Sequence, residues 1–246
     1  MELIKLVRYK PRQHRIELEA ELEAVKKLTS DGVDVNCIDF VNGKTALIYS
    51  MKYENVNIVK LLIDAGAYVD CTDYDGWTAL MYSIGNIEIT RVLIDAGADL
   101  NRQDCDEKTA LMYAVKYANN DEEENEDNEY KDKYNTVKLL IDAGADLNYE
   151  DNIGYTALMW AVQWPNKDSK AMVKLLIDAG ADIDAENYRR QTALRMSAAN
   201  SNRFSKAIVK LLIDAGADTT GILEIAHKNN KEIIKKCLKQ KLNKHL

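Results

Sequence analysis

The sequence predicts an all-α fold, a solenoid of helix–turn–helix–loop units stacked in one elongated array. Three observations carry this. The string IDAGA occurs at 63–67, 94–98, 141–145, 177–181 and 213–217, and TAL begins at Thr45, Thr78, Thr109, Thr156 and Thr192. One unit of about 33 residues therefore recurs, with insertions and one deletion. Within each unit the apolar residues return at helical spacing. Finally, the 246 residues hold only 2 Pro and 11 Gly, with 7% aromatics and 46% hydrophobic residues, which favours helices over a strand-rich sandwich and is too apolar for a disordered chain.

The elements follow in order. An N-terminal capping unit (1–36) reads as a short helix carrying Leu3, Ile4, Leu6 and Val7 and a longer one from Glu17 to Leu28. Five repeats are expected at 37–70, 71–101, 102–148, 149–184 and 185–218. In the first, Gly43 suits a turn and Thr45 can cap the helix begun by Ala46, Leu47, Tyr49 and Ser50. After Glu54 and Asn55, residues Ile58, Val59, Leu61, Leu62 and Ala65 define a second helix, and Gly66 stands at its left-handed cap. The extended stretch Ala67 to Asp70 leads to the next turn. One such unit cannot bury both sides of two thin helices, so neighbours must cover one another, with small residues where helices crowd. Seven layers at roughly 8–10 Å would span about 60 Å.

Two segments depart from the repeat. Asp121 to Tyr134 holds eight acids and two lysines, a net of −6 in a chain of net −7, and is expected as a mobile loop. It is either a solubilising excursion or an acidic lure for a basic partner. The C-terminal capping unit (219–246) runs the other way, with Lys228, Lys231, Lys235, Lys236, Lys239, Lys241 and Lys244 against Glu232. Ile233, Ile234, Cys237 and Leu238 form its inward face, and the lysines its solvated one.

The residues Gly76-Trp-Thr-Ala-Leu-Met-Tyr-Ser83 and Val92-Leu-Ile-Asp-Ala-Gly-Ala-Asp-Leu-Asn101 resemble the ankyrin-repeat pattern G-x-T-P-L-H-x-A-A, V-V-x-x-L-L, G-A-D-V-N. The resemblance covers nearly the whole chain as a single domain. The family's Pro is Ala in every repeat, and its His is Ile48, Met81, Met112, Met159 or Arg195. That loss removes a side chain that in the family ties loop to helix, so looser loops are expected. Glu107 and Arg190 replace the turn glycine, which puts those two turns in doubt.

The resemblance implies a non-catalytic scaffold that binds another protein through the concave surface of loop tips and first helices. At those positions stand Phe40, Tyr74, Trp77, Tyr155, Tyr188 and Arg189 on the tips, and Tyr53, Tyr117 and Trp164 at one shared position near the end of the first helix. Tyr74, Trp77, Tyr155, Tyr188, Arg189, Tyr53, Tyr117 and Trp164 are the candidate binding residues, with Trp77, Tyr117 and Trp164 as anchors. Tyr49, Tyr82, Tyr113 and Trp160 lie one helical position deeper and are expected in the core. Chains with such TALM repeats occur in amoebae, large DNA viruses and intracellular bacteria. An adaptor, host-directed effector or inhibitor is therefore the alternative. Asn36, Asn101 and Asn148 sit where asparaginyl hydroxylases modify similar repeats, or they simply satisfy loop backbone groups.

Other chemistry is not supported. His14, His227 and His245 lack ligand spacing and a neighbouring nucleophile, and the four Cys form neither a C-x-x-C pair nor a disulfide framework. Asp73, Asp75 and Gly76 faintly resemble a calcium loop, but Cys71 and Tyr82 occupy its key ligand positions. No catalytic residue, metal, cofactor or small-molecule substrate is expected. The negative net charge argues against nucleic acid. No run of 18 apolar residues suggests a membrane span, and the N-terminus lacks the apolar stretch of a secretory signal, so a cytoplasmic monomer is expected.

Overall fold

The recurrent threonine is what starts each first helix. In the computed structural model, the hydroxyl of Thr45 accepts the N–H of Ile48 at 3.3 Å. Thr78 does the same for Met81 at 3.3 Å, Thr156 for Met159 at 3.4 Å and Thr192 for Arg195 at 3.3 Å. Each bond satisfies one backbone donor that has no partner inside the helix. The helices then begin at Ala46, Ala79, Ala157 and Ala193, where alanine, the best helix former, stands in place of proline.

The structure describes residues 2–8, 15–53, 55–119 and 129–244. The chain divides into two compact units, Met1–Ala110 and Leu111–Leu246. The first holds α1 (Glu2–Arg8), α2 (Arg15–Ser30), α3 (Ala46–Ser50), a 3₁₀ turn (Met51–Tyr53), α4 (Val56–Asp64), α5 (Ala79–Tyr82) and α6 (Ile87–Asp95). The second holds α7 (Ala110–Asn119, whose first residue falls at the boundary), α8 (Glu129–Asp142), α9 (Ala157–Gln163) and α10 (Ser169–Asp178). It continues with α11 (Ala193–Ala199), α12 (Ser205–Asp214), α13 (Ile222–Ile225) and α14 (Lys228–Lys244). The only strand-like pairing among the described residues is two isolated antiparallel bridges, Ile38 with Thr45 and Thr72 with Thr78.

In each unit the first helices form one row and the second helices another. In the first unit α3 packs between α1 and α5, and α4 between α2 and α6. In the second, α11 packs against α9 and α13, and α12 against α10 and α14. The repeat positions fill these rows with the same residues. Leu47, Val59, Leu62, Leu80 and Leu93 are buried in the first unit, and Leu140, Leu158, Leu176, Leu194 and Leu212 in the second. Each buried leucine contributes about 2 kcal/mol. The second helix of each of the five repeats ends alike: in the first, Ala67 donates to the carbonyl of Leu62 and Gly66 to that of Ile63, both at 2.9 Å, with Gly66 at φ +89°.

Side chains of the extended segments tie successive layers. The side chain of Asn36 donates to the carbonyl of Gly66 at 3.0 Å and accepts the N–H of Tyr68 at 2.8 Å. Asn148 accepts the N–H of Asp182 at 2.8 Å. Asp70 and Asp184 take the same role toward Asp99 and Asp218, each at 2.9 Å. Asn36 and Asn148 therefore satisfy loop backbone groups.

Two expectations are corrected. The acidic segment 121–134 is not all loop, because α8 reaches back to Glu129; residues 121–128 lie outside the described residues. No breaker stands between Glu129 and Tyr134, and an acid at a helix N-terminus suits the dipole. Nor do the turns of repeats three and five lose their geometry. Glu107 and Arg190 adopt φ 60° and 57°, the left-handed conformation glycine takes elsewhere. Crowding explains why Arg190 is admitted. A Cβ on Gly154 would lie 2.8 Å from the backbone nitrogen of Tyr188 in the next hairpin. Repeat five is followed by Thr219 to Gly221, which form no such hairpin, so Arg190 extends into solvent and pairs with Glu186 at 2.8 Å.

Candidate functional site

The loop tips are hairpins organised around a buried acid. Oδ1 of Asp73 accepts the N–H groups of Asp75 at 3.1 Å and Trp77 at 2.9 Å. Asp104 does so for Asp106 and Lys108, both at 2.9 Å, and Asp151 for Ile153 at 3.0 Å and Tyr155 at 2.8 Å. The first hairpin is one residue longer. There Asp39 takes the N–H of Val41 at 3.0 Å while Asn42 takes that of Lys44 at 3.1 Å. The extra residue pushes Phe40 and Val41 out to 78% and 74% exposure.

A carboxylate buried this deeply needs its second oxygen satisfied as well. The first helix supplies the donor. The Tyr49 hydroxyl donates to Oδ2 of Asp39 at 2.5 Å, the Tyr82 hydroxyl to Oδ2 of Asp73 at 2.7 Å, and the indole N–H of Trp160 to Oδ2 of Asp151 at 3.0 Å. Charge-assisted bonds of this kind are about twice as strong as neutral ones. The expectation of looser loops is thus corrected: the residue after Ile48, Met81 and Met159 ties loop to helix in place of the missing histidine. Repeat five changes both partners at once. Asn187 replaces the acid, keeps the bonds from the N–H groups of Arg189 and Gln191 at 2.9 and 3.0 Å, and donates its side-chain amide Nδ2 to Gln191 Oε1 at 3.3 Å. Met196 replaces the aromatic donor.

Adjacent tips also bond to one another. Tyr74 N–H donates to the carbonyl of Asn42 at 3.0 Å, Cys105 to that of Asp75 at 3.1 Å, and Tyr188 to that of Ile153 at 3.3 Å. The tip residues are consequently fixed in register.

On this scaffold the predicted residues fall into two groups. In the first unit Tyr74 is 58% exposed and lies against Gly43, while Trp77 is half-buried with its ring 5.0 Å from that of Tyr82. Tyr53 ends the 3₁₀ turn, and its side chain lies outside the described residues. In the second unit Trp164, 46% exposed, leans on Trp160 at 5.7 Å, and half-buried Tyr155 meets the same indole at 5.4 Å. Tyr117 stacks on Tyr113 at 5.9 Å. Tyr188, 67% exposed, covers Gly154, and Arg189 beside it is exposed. Of the deeper aromatics, Tyr113 and Trp160 are buried as expected, whereas Tyr49 and Tyr82 are only half-buried.

The sequence reading missed two lysines. Lys116 sits 5.3 Å over the Trp160 ring and 6.0 Å from that of Tyr113, joining the aromatic pairs of repeats three and four. Lys44 lies 4.3 Å over the Tyr82 ring and 3.8 Å from Asp73. Cation–π contacts of this kind contribute about 0.5–2 kcal/mol. For Lys44 the available signal was its place directly before the capping Thr45; Lys116 rests on rings of two repeats and left none.

Comparison with known proteins agrees with this architecture. The family model for ankyrin repeats (3 copies) matches residues 16–104 and 128–222. Among curated proteins, the nuclear factor NF-kappa-B p105 subunits of Gallus gallus and Mus musculus are 38% and 33% identical over 73 residues. That is 29% of this chain and only 7% and 8% of those proteins. Among solved structures, the ankyrin repeat domain of Bcl-3, a member of the IkappaB protein family, is 25% identical with a TM-score of 0.73, covering 95% of this chain and 96% of that one. An ankyrin repeat domain from Acinetobacter baumannii AYE is 27% identical with a TM-score of 0.70, covering 81% and 95%. With the family model spanning most of the sequence, and capped first helices, glycine-ended second helices and acid-centred hairpins recurring through it, the chain belongs to the ankyrin-repeat family.

Proposed function

We propose that the chain binds a partner protein through its loop tips and first-helix face, and acts by occupying that partner rather than by catalysis. Ankyrin repeats are generally protein–protein interaction modules, and buried repeat positions serve stacking, which leaves the rims for recognition.

One observation carries the reading. In the second unit Trp164, Tyr117 and Tyr155 present aromatic surface on supports that are themselves immobilised, Trp160 by Asp151 and Tyr113 by packing. Large rings already fixed in place lose little entropy on binding, which is the property of an interface anchor. Tyr188 and Arg189 extend this surface at the tip of repeat five, and Tyr74 and Trp77 offer a comparable patch in the first unit.

The test is a quantitative pull-down from the source cell, comparing the chain with a Tyr117→Ala/Trp164→Ala variant and with a Lys170→Gln/Lys206→Gln variant on the second helices. The expected result is a protein retained by the chain and by the lysine variant but lost from the aromatic one. Equal retention by all three, with unchanged unfolding midpoints, refutes the proposal.

A further inference from the structure

The second helices carry a charge pattern that breaks once, in α14. A basic residue is followed four positions later by aspartate in all five repeats: Lys60 and Asp64, Arg91 and Asp95, Lys138 and Asp142, Lys174 and Asp178, Lys210 and Asp214. Lys174 bonds Asp178 at 2.5 Å, and Lys210 bonds Asp214. These outer helices are therefore solvated at near-zero net charge. Helix α14 aligns with α12 residue for residue. Buried Ser205, Val209 and Leu212 correspond to buried Asn230, Ile234 and Cys237, so Lys231 and Lys235 take the places of Lys206 and Lys210. In that register the aspartate becomes Lys239.

A solvated cap accounts for part of this. Lys236 replaces the half-buried Leu211 and is itself exposed. It does not account for Lys239, because its counterpart Asp214 is already exposed and polar. The reversal turns a favourable spacing into a repulsive one, since Lys231, Lys235 and Lys239 follow at intervals of four on one helix face. Among the described residues none of the three has a carboxylate within ion-pair distance. A self-repelling stripe on an otherwise well-placed helix points outward, to a ligand that supplies the missing negative charge.

We propose that the outer face of α14 docks an acidic polypeptide segment of a partner. The geometry sets the class. Lysines four apart on a helix stand about 6 Å from one another, and alternate residues of an extended chain stand about 6.6 Å apart, so acids at every second position of an extended segment meet Lys231, Lys235 and Lys239 in turn. Charge distribution selects a polypeptide over a membrane or a nucleic acid. Residues 228–246 hold a net of +6 and the rest of the chain −13. A chain of net charge −7 disfavours a membrane or a nucleic acid of high negative charge density, whereas a single extended segment meets chiefly the lysines within a Debye length of about 8 Å. Leu242, 67% exposed near the end of the stripe, gives such a segment one apolar contact.

The test uses the full chain and a fluorescein-labelled peptide with glutamate at alternate positions, read by fluorescence anisotropy. Binding is expected at about 50 mM salt and should weaken steeply toward about 300 mM. Lys231→Gln/Lys235→Gln/Lys239→Gln should weaken it about tenfold or more, and Lys239→Asp, which restores the repeat pattern, should weaken it alone. Lys170→Gln/Lys206→Gln and Tyr117→Ala/Trp164→Ala should leave it unchanged, which separates this surface from the aromatic one. No binding, loss of equal size in the two lysine variants, or stronger retention of phosphatidylserine vesicles or duplex DNA than of the peptide would overturn the proposal.

Discussion

Repeats four and five share their cores and differ in their hairpins. Leu158 and Leu194 are equally buried, and Thr156 and Thr192 cap their helices in the same way. Yet repeat four closes its turn with a carboxylate bonded to an indole, Asp151 to Trp160, whereas repeat five uses an amide that bonds within its own loop and needs no aromatic donor. The turn residue changes in parallel: Gly154 is roofed by Tyr188, and Arg190 is open to solvent. The lesson is that stacking dictates the buried rows, while the hairpins of repeats four and five differ with whether another hairpin covers the turn and which donor the acid can reach.

The comparison can be broken or sharpened by substitution. The largest effects belong to what the repeats share. Leu158→Ala and Leu194→Ala should each cost about 2–5 kcal/mol by urea unfolding, and a clear inequality would mean that the cores are not equivalent. Next come the hairpin centres. Asp151→Ala leaves the buried Trp160 N–H and two backbone donors without their acceptor, and should cost about 3 kcal/mol; Asn187→Ala, which leaves no buried indole behind, should cost about 1–2 kcal/mol. Gly154→Ala should destabilise by about 2 kcal/mol because its φ of +78° and the Tyr188 backbone both oppose a Cβ. Arg190→Gly should instead stabilise by about 1 kcal/mol, since its φ of 57° is released from strain with no neighbour in the way. The smallest effect is at the rim. Trp164→Ala should shift stability by about 1 kcal/mol or less, while abolishing partner capture.

Much of this was legible in the sequence because stacking enforces it. Thr45, Thr78, Thr156 and Thr192 cap the first helices where the TAL string placed them, and Gly66 and its equivalents follow the second helices at positive φ. The hairpin chemistry was misread because the family's histidine was sought at one position only. The replacement sits one residue further on, and its partner acid lies five or six residues before the threonine. Reading both columns together would have exposed the pairing, since Asp39, Asp73 and Asp151 accompany Tyr49, Tyr82 and Trp160, and both members change in repeat five. The start of α8 was missed because charge composition predicts solvation and not backbone conformation, so Glu129 to Tyr134 looked like loop. Lys116 was missed because a cation resting on two rings from different repeats leaves no spacing signal within either one.

A double-mutant cycle on repeat four tests most directly whether turn acid and helix aromatic work as one pair in place of the family's histidine. Asp151→Asn alone should cost about 1–3 kcal/mol in urea unfolding, because it sets an amide where the Trp160 N–H seeks a charged acceptor. In a Trp160→Met background, which copies repeat five, the same change should cost less by about 1 kcal/mol or more. Strict additivity of the two substitutions would contradict the pairing.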